Sequence, residues 1–416
     1  MNKLINASDE QKIIIDKLET NNVIVNAVAG SGKTTTILHI ANKYKNWKIL
    51  VLTYNAKLKI ESRQKCDNLK LKNIEIHSYH AFCVKYYNSD CYTDSKIQYM
   101  LNKNDLHTTF NYDLVVIDEC QDMTPLYYDL CCKIIFSHKI KPKICILGDP
   151  DQNIFKYNGA DKRFMELAKD VFNFNQYSWL TLKLSTSYRI TNQMANFINC
   201  CIFNENKMKA IKHGPEVKYL ICDVFGDYSL HIPHNEIMIY LNKYKYDDIF
   251  ILAPSIKSPE TPVRKLANML SNQGIPIYVP NNDNDKIDSD IIKGKVVFST
   301  FHQVKGLERN ATLVFNFDKS YFDYFNKTAS VDKCPNELYV AITRAKESMV
   351  LLHHYQNDWL PFIQPNKLKQ FVEFKEYSKL NVLNKTKKEQ KNISVTELIK
   401  YLLKFKTRKP LTLVGG

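Results

Sequence analysis

Residues 27 to 35 read Ala-Val-Ala-Gly-Ser-Gly-Lys-Thr-Thr, directly after the β-branched run Val23–Asn26 and at the start of a helical stretch. This order of strand, glycine-rich loop and helix constrains the fold more than any other feature of the chain, because such a loop cradles phosphate where a strand hands over to a helix. Backbone N–H groups around Ala29, Gly30, Ser31, Gly32 and Thr35 are expected to surround the phosphates, with Lys33 reaching the β- and γ-phosphates and the Thr34 hydroxyl on Mg²⁺. Ala27 occupies the position where the general pattern has its first glycine, while Gly30 and Gly32 keep the positions nearest the phosphates.

The neighbouring sequence has the rhythm such a loop needs. Short apolar runs recur at Val23–Asn26, Ile49–Thr53, Ile74–Ser78, Val115–Asp118 and Ile144–Gly148, each followed by a helical stretch, which is the βαβ pattern of a parallel sheet. A second series at Leu182–Ser185, Ile249–Ala253, Pro276–Val279, Val296–Thr300, Leu313–Phe317 and Met349–His353 repeats it. The chain therefore reads as α/β, in two similar halves at residues 1–180 and 181–355, followed by a Lys-rich tail at 356–416. In that tail Ser394 and Glu397 form a capping box ahead of Val395, Leu398, Ile399 and Leu402 at helical spacing, which predicts a short helix.

With 416 residues and 44% hydrophobic content, the chain can bury the cores of two domains. It has no long apolar run and opens on a polar segment, so a soluble, intracellular protein, nuclear or cytoplasmic, is expected, with no membrane partner. The 11 cysteines are scattered without a C-x-x-C, which argues for reduced thiols over a zinc site or a disulfide framework. A formal charge of +15 suits a polyanionic partner.

A second chemical element follows the apolar strand Leu114–Ile117, which ends in Asp118-Glu119-Cys120-Gln121-Asp122. Asp118 is placed to hold the Mg²⁺ and Glu119 to deprotonate the water that attacks the γ-phosphate.

A third element, Leu-Gly-Asp-Pro-Asp-Gln-Asn-Ile-Phe-Lys-Tyr-Asn-Gly-Ala at residues 147 to 160, resembles motif III of the UvrD/Rep helicases of superfamily 1. Other motifs of that family appear in its order: Gln11, Thr53-Tyr54-Asn55, Ser78-Tyr79-His80, Ser187-Tyr188-Arg189, the run Thr300 to Glu308 and the run Tyr339 to Ala345. The resemblance implies two RecA-like parallel-sheet domains with an ATP cleft between them. It implies that Gln11 reads the adenine edge, Tyr188 stacks on its face and Glu308 meets the ribose. Gln152 is implied as the γ-phosphate sensor, and Arg189 and Arg344 as arginine fingers. On the nucleic-acid side it implies that bases stack on Tyr54, Tyr157 and Phe155 while His80 and His302 hold the backbone.

The activity so implied is ATP-dependent 3′→5′ translocation on single-stranded DNA with duplex unwinding, in repair or replication. The partners are single strands, single/double-strand junctions and a protein that loads the motor. Two departures stand out: Tyr157 where the family commonly has Trp, and Asn158 where it often has Arg. The intervals from Cys83 to Asp113 and from Arg189 to Ser299 leave little room for the accessory domains of larger relatives, which makes strand separation less secure than translocation. Two rivals keep the ATP site: a switch that displaces or recruits proteins with little unwinding, and an RNA-directed motor.

Overall fold

The computed structural model describes residues 4–54, 56–103, 108–226, 230–283, 287–288 and 290–377. The strands of the first half are β1 (Asn22–Ala27), β2 (Ile49–Thr53), β3 (Ile74–Ser78), β4 (Leu114–Asp118), β5 (Lys143–Gly148) and β6 (Trp179–Leu184). They form one sheet in the order β3-β2-β4-β5-β1-β6, every pair parallel. All five residues of β2 and of β4 are buried, as expected for strands covered on both faces. Side chains of a strand point to alternate faces, and the core divides accordingly. Leu50, Leu52, Val115 and Ile117 enter one apolar cluster, and Ile49, Val51, Leu114 and Val116 enter the other.

After the small parallel pair β7 (Thr186–Thr191) and β8 (Lys209–Lys212) comes a second set of strands. These are β9 (Val217–Cys222), β10 (Ile249–Ala253), β11 (Ile277–Tyr278), β12 (Val296–Thr300), β13 (Arg309–Val314), β14 (Ala345–His354) and β15 (Val372–Glu376). They form a parallel sheet in the order β11-β12-β10-β13-β14-β9-β15. The two parallel sheets with flanking helices are the two RecA-like domains.

Two expectations about the boundaries are corrected, and one strand is added. Leu182–Ser185 does not open the second half: β6 pairs with β1 from Asn22↔Trp179 to Ala27↔Leu184, so the chain leaves the first sheet after Leu184 and not near residue 180. Strands do not stop at residue 355, because β15 extends the second sheet on β9. That strand escapes notice in the sequence because it is an edge, and its Glu and Lys residues are the charges that keep an exposed edge from pairing elsewhere. The strand β9 was also not anticipated, although Val-Lys-Tyr-Leu-Ile-Cys is apolar enough to fill it. The helix expected around Ser394 to Leu402 lies outside the described residues.

Because all strands of a sheet run the same way, their C-terminal ends share one edge. Registers Thr53↔Ser78, Thr53↔Asp118 and Asn26↔Gly148 set the loops after β1 to β5 side by side, where α/β sheets bind ligands. At the opposite end, fully buried Asn22 fastens β1. Its amide N donates to Asn175 Oδ1 at 2.8 Å and to the Tyr177 carbonyl at 3.2 Å, and its Oδ1 accepts the Ile144 N–H at 2.9 Å. Asn22→Leu should therefore cost about 1–3 kcal/mol for each group left unpaired. The melting temperature should fall by about 2–4 °C per kcal/mol, measured by circular dichroism.

Candidate nucleotide and nucleic-acid site

The phosphate loop joins β1 to α2 (Lys33–Lys43). Gly30 at φ 72° and Gly32 at φ 85° take left-handed backbone that other residues adopt only with strain. Space demands glycine as well. A Cβ on Gly30 would stand 2.4 Å from Arg189 Cβ, and one on Gly32 would stand 3.2 Å from the Gln11 amide N and 3.9 Å from the Tyr188 ring. With Gly32 at its N-cap, α2 presents N–H groups that no side chain caps, an anion-binding end. The buried hydroxyls of Ser31 and Thr53 have no protein partner, and Thr34, Thr53 and Asp118 line one small cavity beside the loop. These oxygen donors fit a Mg²⁺–nucleotide complex.

Lys33 and Glu119 face each other across this edge, Nζ to Oε1 at 3.2 Å. Burial alone would lower the Lys33 pKa, but Glu119, Asp118 and Asp149 outweigh it and raise it above the ordinary lysine value. Burial likewise works against an ionised Glu119, yet Lys33, Lys305 and the bond from Gln121 hold its carboxyl well below the usual range. Asp118 moves the other way, raised by burial and by the Glu119 charge. A cation beside Asp118 would reverse that balance. Glu119 is also a left-handed residue, φ 55° and ψ 41°, and a non-glycine held there marks a side chain aimed at some cost in backbone strain. Gln121 fixes the aim, its amide N donating to Glu119 Oε2 at 2.5 Å while its Oε1 accepts the Asp149 N–H at 3.1 Å.

The second domain supplies cations to this edge. Arg344, 1% exposed, donates to the carbonyls of Val340 and Leu307 at 2.8 and 3.2 Å and, across the cleft, to Gln152 Oε1 at 3.2 Å. Burial and neighbouring Arg189 push its pKa down to about 9, so the pair of guanidiniums favours an anion between the domains. Gln152 donates in turn to Asp149 at 2.8 Å, and the Tyr339 hydroxyl reaches the same carboxylate at 3.3 Å. Arg189 Nε is bonded to Glu308 at 2.6 Å.

Not every residue stands free for the role the resemblance implied. Glu308 is engaged by Arg189. The Gln11 amide N is bonded to the Gly32 carbonyl at 3.3 Å and to Thr36 Oγ1 at 3.1 Å, and its Oε1 accepts the Ser8 N–H at 2.9 Å in a capping box, leaving that oxygen one lone pair. Tyr188 is 42% exposed beside Gly32.

Above the nucleotide loops an aromatic row crosses the cleft. Tyr54 and Phe155 stack at 5.5 Å between centroids, Phe155 meets Tyr157 edge-on at 6.1 Å, and Tyr157 meets His302 of the second domain at 5.7 Å. Tyr157 is 65% exposed, so it is not core. His80 stands to one side, paired with Asp94 at 2.9 Å. Lys305 ties this row to the nucleotide edge: its ammonium is 2.6 Å from the buried Asp122 carboxylate, 2.5 Å from the Gln152 carbonyl and 4.7 Å from the Phe155 ring centre. Lys305, Asp122, Asp149, Gln121 and Tyr339 were not singled out in the sequence. All lie inside or beside the motifs quoted, but the pairings of Lys305 with Asp122 and of Tyr339 with Asp149 join residues far apart in the chain.

Two parallel-sheet domains, one carrying the phosphate loop and acid pair and the other facing them with two arginines, define a two-domain P-loop nucleotide-binding protein. A family model described as an AAA domain matches residues 10–158, and one described as a UvrD-like helicase C-terminal domain matches residues 255–356. A protein of Acanthamoeba polyphaga mimivirus named as an ATP-dependent DNA helicase is 23% identical over 411 residues, covering 86% of this chain and 56% of its own length. A Mycoplasma capricolum protein named as a DNA helicase II homolog is 27% identical, covering 60% of this chain and 34% of its own. The ATP-dependent DNA helicase PcrA of Staphylococcus aureus is 29% identical over 148 residues, covering 34% of this chain and 19% of its own. By these two matches and these relatives the chain is similar to the UvrD/Rep-like helicases of superfamily 1. It spans about half the length of the mimivirus relative and about a third of the mycoplasma one. No helix among the described residues is long and apolar enough to cross a membrane.

Glu119→Gln should bind nucleotide with a Kd within about threefold of wild type while slowing hydrolysis by about 100-fold or more. Lys33→Ala should abolish hydrolysis altogether. Fluorescent-nucleotide titration and phosphate release measure the two quantities, and near-normal turnover by Glu119→Gln would assign the base elsewhere.

Proposed function

We propose that the chain hydrolyses ATP between its two domains and uses the resulting closure and reopening to move 3′→5′ along single-stranded DNA, parting duplex at junctions. The observation that carries this reading is the aromatic row Tyr54–Phe155–Tyr157–His302, which crosses the cleft and is joined to the acid cluster by Lys305. Stacking on such rings is worth about 1–3 kcal/mol per base and is indifferent to sequence, which suits a motor on arbitrary DNA.

In the nucleotide step, Gln11 offers its remaining lone pair to the adenine amino group, Tyr188 covers the ring and Glu308 exchanges Arg189 for the ribose. Lys33 draws charge from the β- and γ-phosphates, Glu119 takes the proton of the attacking water, and Arg189 and Arg344 stabilise charge on the transferring phosphoryl group, which Gln152 senses. Thr34 and Asp118 would hold Mg²⁺, which would neutralise charge on the phosphates. Reopening of the cleft after phosphate leaves would break the Arg344–Gln152 contact and shift His302 relative to Tyr54, converting hydrolysis into displacement of the strand. His80 and His302 guide the phosphate backbone. With short intervals where larger relatives carry accessory domains, unwinding depends more on a loading partner than translocation does. An intracellular setting, in DNA repair or replication, fits this reading.

Steady-state ATP hydrolysis with and without single-stranded DNA, with Lys33→Ala as blank and matched RNA as competitor, tests the proposal. Stimulation by DNA of at least about tenfold is expected, and Tyr157→Ala should raise the half-stimulating DNA concentration by about 5- to 100-fold. Hydrolysis indifferent to either nucleic acid would sink the motor reading.

A further inference from the structure

Every strand of the first sheet ends by residue 184 and every strand of the second begins after residue 216, so among the described residues the chain crosses between the sheets once, in a segment that opens at Ser185 and Thr186. That crossing is gripped by a residue 175 positions away in the sequence. Glu10, in the first turn of α1 (Asp9–Lys17), accepts the Ser185 N–H at 3.0 Å, the Ser185 hydroxyl at 2.5 Å and the Thr186 N–H at 3.4 Å. Both carboxylate oxygens are engaged, and bonds to an ionised acceptor are the stronger kind.

The adjacent residue of the same turn, Gln11, holds the phosphate loop through the Gly32 carbonyl and Thr36. Immediately beyond the gripped segment, the Ser187 hydroxyl donates to the Ala29 carbonyl at 2.7 Å, the Tyr188 N–H donates to the Gly30 carbonyl at 2.9 Å, and the Arg189 side chain lies against Gly30. One turn of α1 thus holds the loop with one side chain and the inter-domain crossing with the next. An acid in a first turn also complements the helix dipole, but that role needs no distant donors.

We propose that Glu10 is a positioning residue that fixes the crossing segment to α1 and thereby sets where Tyr188 and Arg189 stand over the phosphate loop. It tunes nucleotide affinity through Tyr188 and the approach of the second domain through Arg189. The proposal rests on the ATP-hydrolysing reading above and goes beyond it by giving a nucleotide-remote carboxylate control of the hinge.

The experiment compares the full chain with Glu10→Ala, Glu10→Gln and Ser185→Ala. ATP hydrolysis is measured with and without single-stranded DNA, fluorescent ADP binding and melting temperature separately. Glu10→Ala should raise the KM for ATP about tenfold and lower DNA-stimulated kcat about tenfold, with Glu10→Gln, which keeps a single acceptor oxygen, in between. Adding Ser185→Ala to Glu10→Ala should change little further, as expected for partners in one interaction. A lower melting temperature with KM and kcat both within twofold of wild type would leave Glu10 only a helix-stabilising role and overturn the proposal. Should Glu10→Ala fail to fold, Glu10→Gln decides by the same twofold limit. If the wild type binds ADP but hydrolyses nothing, the functional reading fails by itself. The hinge assignment then stands on a roughly tenfold loss of ADP affinity in Glu10→Ala and falls if affinity is unchanged.

Discussion

Lys33, the first residue of α2, and Glu119, just past β4, stand 3.2 Å apart and largely shielded from solvent at one edge of the parallel sheet, and form the contact on which the rest of the site depends. Either charge alone would be expensive to bury, and their mutual attraction offsets that cost only if the remaining lone pairs and protons are satisfied. The surroundings do this in order. Gln121 bonds the free Glu119 oxygen, Asp118 and Asp149 add to the field on Lys33, and Lys305 of the second domain adds to the field on Glu119. The site is thus a balanced cluster in which moving one charge changes the protonation of the next, which is the property phosphate chemistry requires.

Parallel topology makes that cluster possible. Strand β5 lies between β1 and β4, and its last residue is Gly148, where a Cβ would stand 2.4 Å from Gln121 Oε1 and 2.6 Å from Met165 Sδ. A side chain there would displace Gln121 and with it the aim of Glu119. The strand interiors that hold these ends are almost wholly apolar and buried on both faces, so the polar chemistry is confined to the loops.

The second domain enters as an electrostatic complement. Asp122, Asp149 and Asp151 of the first domain meet Lys305, Tyr339 and Lys207 of the second, and Gln152 meets Arg344. Burial raises the pKa of Asp122 to about 6 although Lys305 works against it. Contacts of this kind can be exchanged when a nucleotide or a strand offers competing charge, whereas an apolar interface of the same size could not.

The sequence alone determined the loops. Gly30, Gly32, Lys33, Thr34, Asp118 and Glu119 act through local backbone geometry and neighbouring residues, and a strand followed by a glycine-rich turn and a helix leaves that geometry little freedom. The apolar periodicity likewise announced two parallel sheets, because a strand covered on both faces must be apolar throughout. It could not announce β15, whose outward charges resemble a solvated tail, nor the end of the first sheet at Leu184, since pairing with β1 is a long-range choice. Only the tertiary structure decided which residues complete the site. Lys305 with Asp122, Arg189 with Glu308 and Glu10 with Ser185 join residues separated by 183, 119 and 175 positions, and no local rule selects one such partner over another. Those pairings follow from how two folded sheets meet, which the periodicity of either one does not encode.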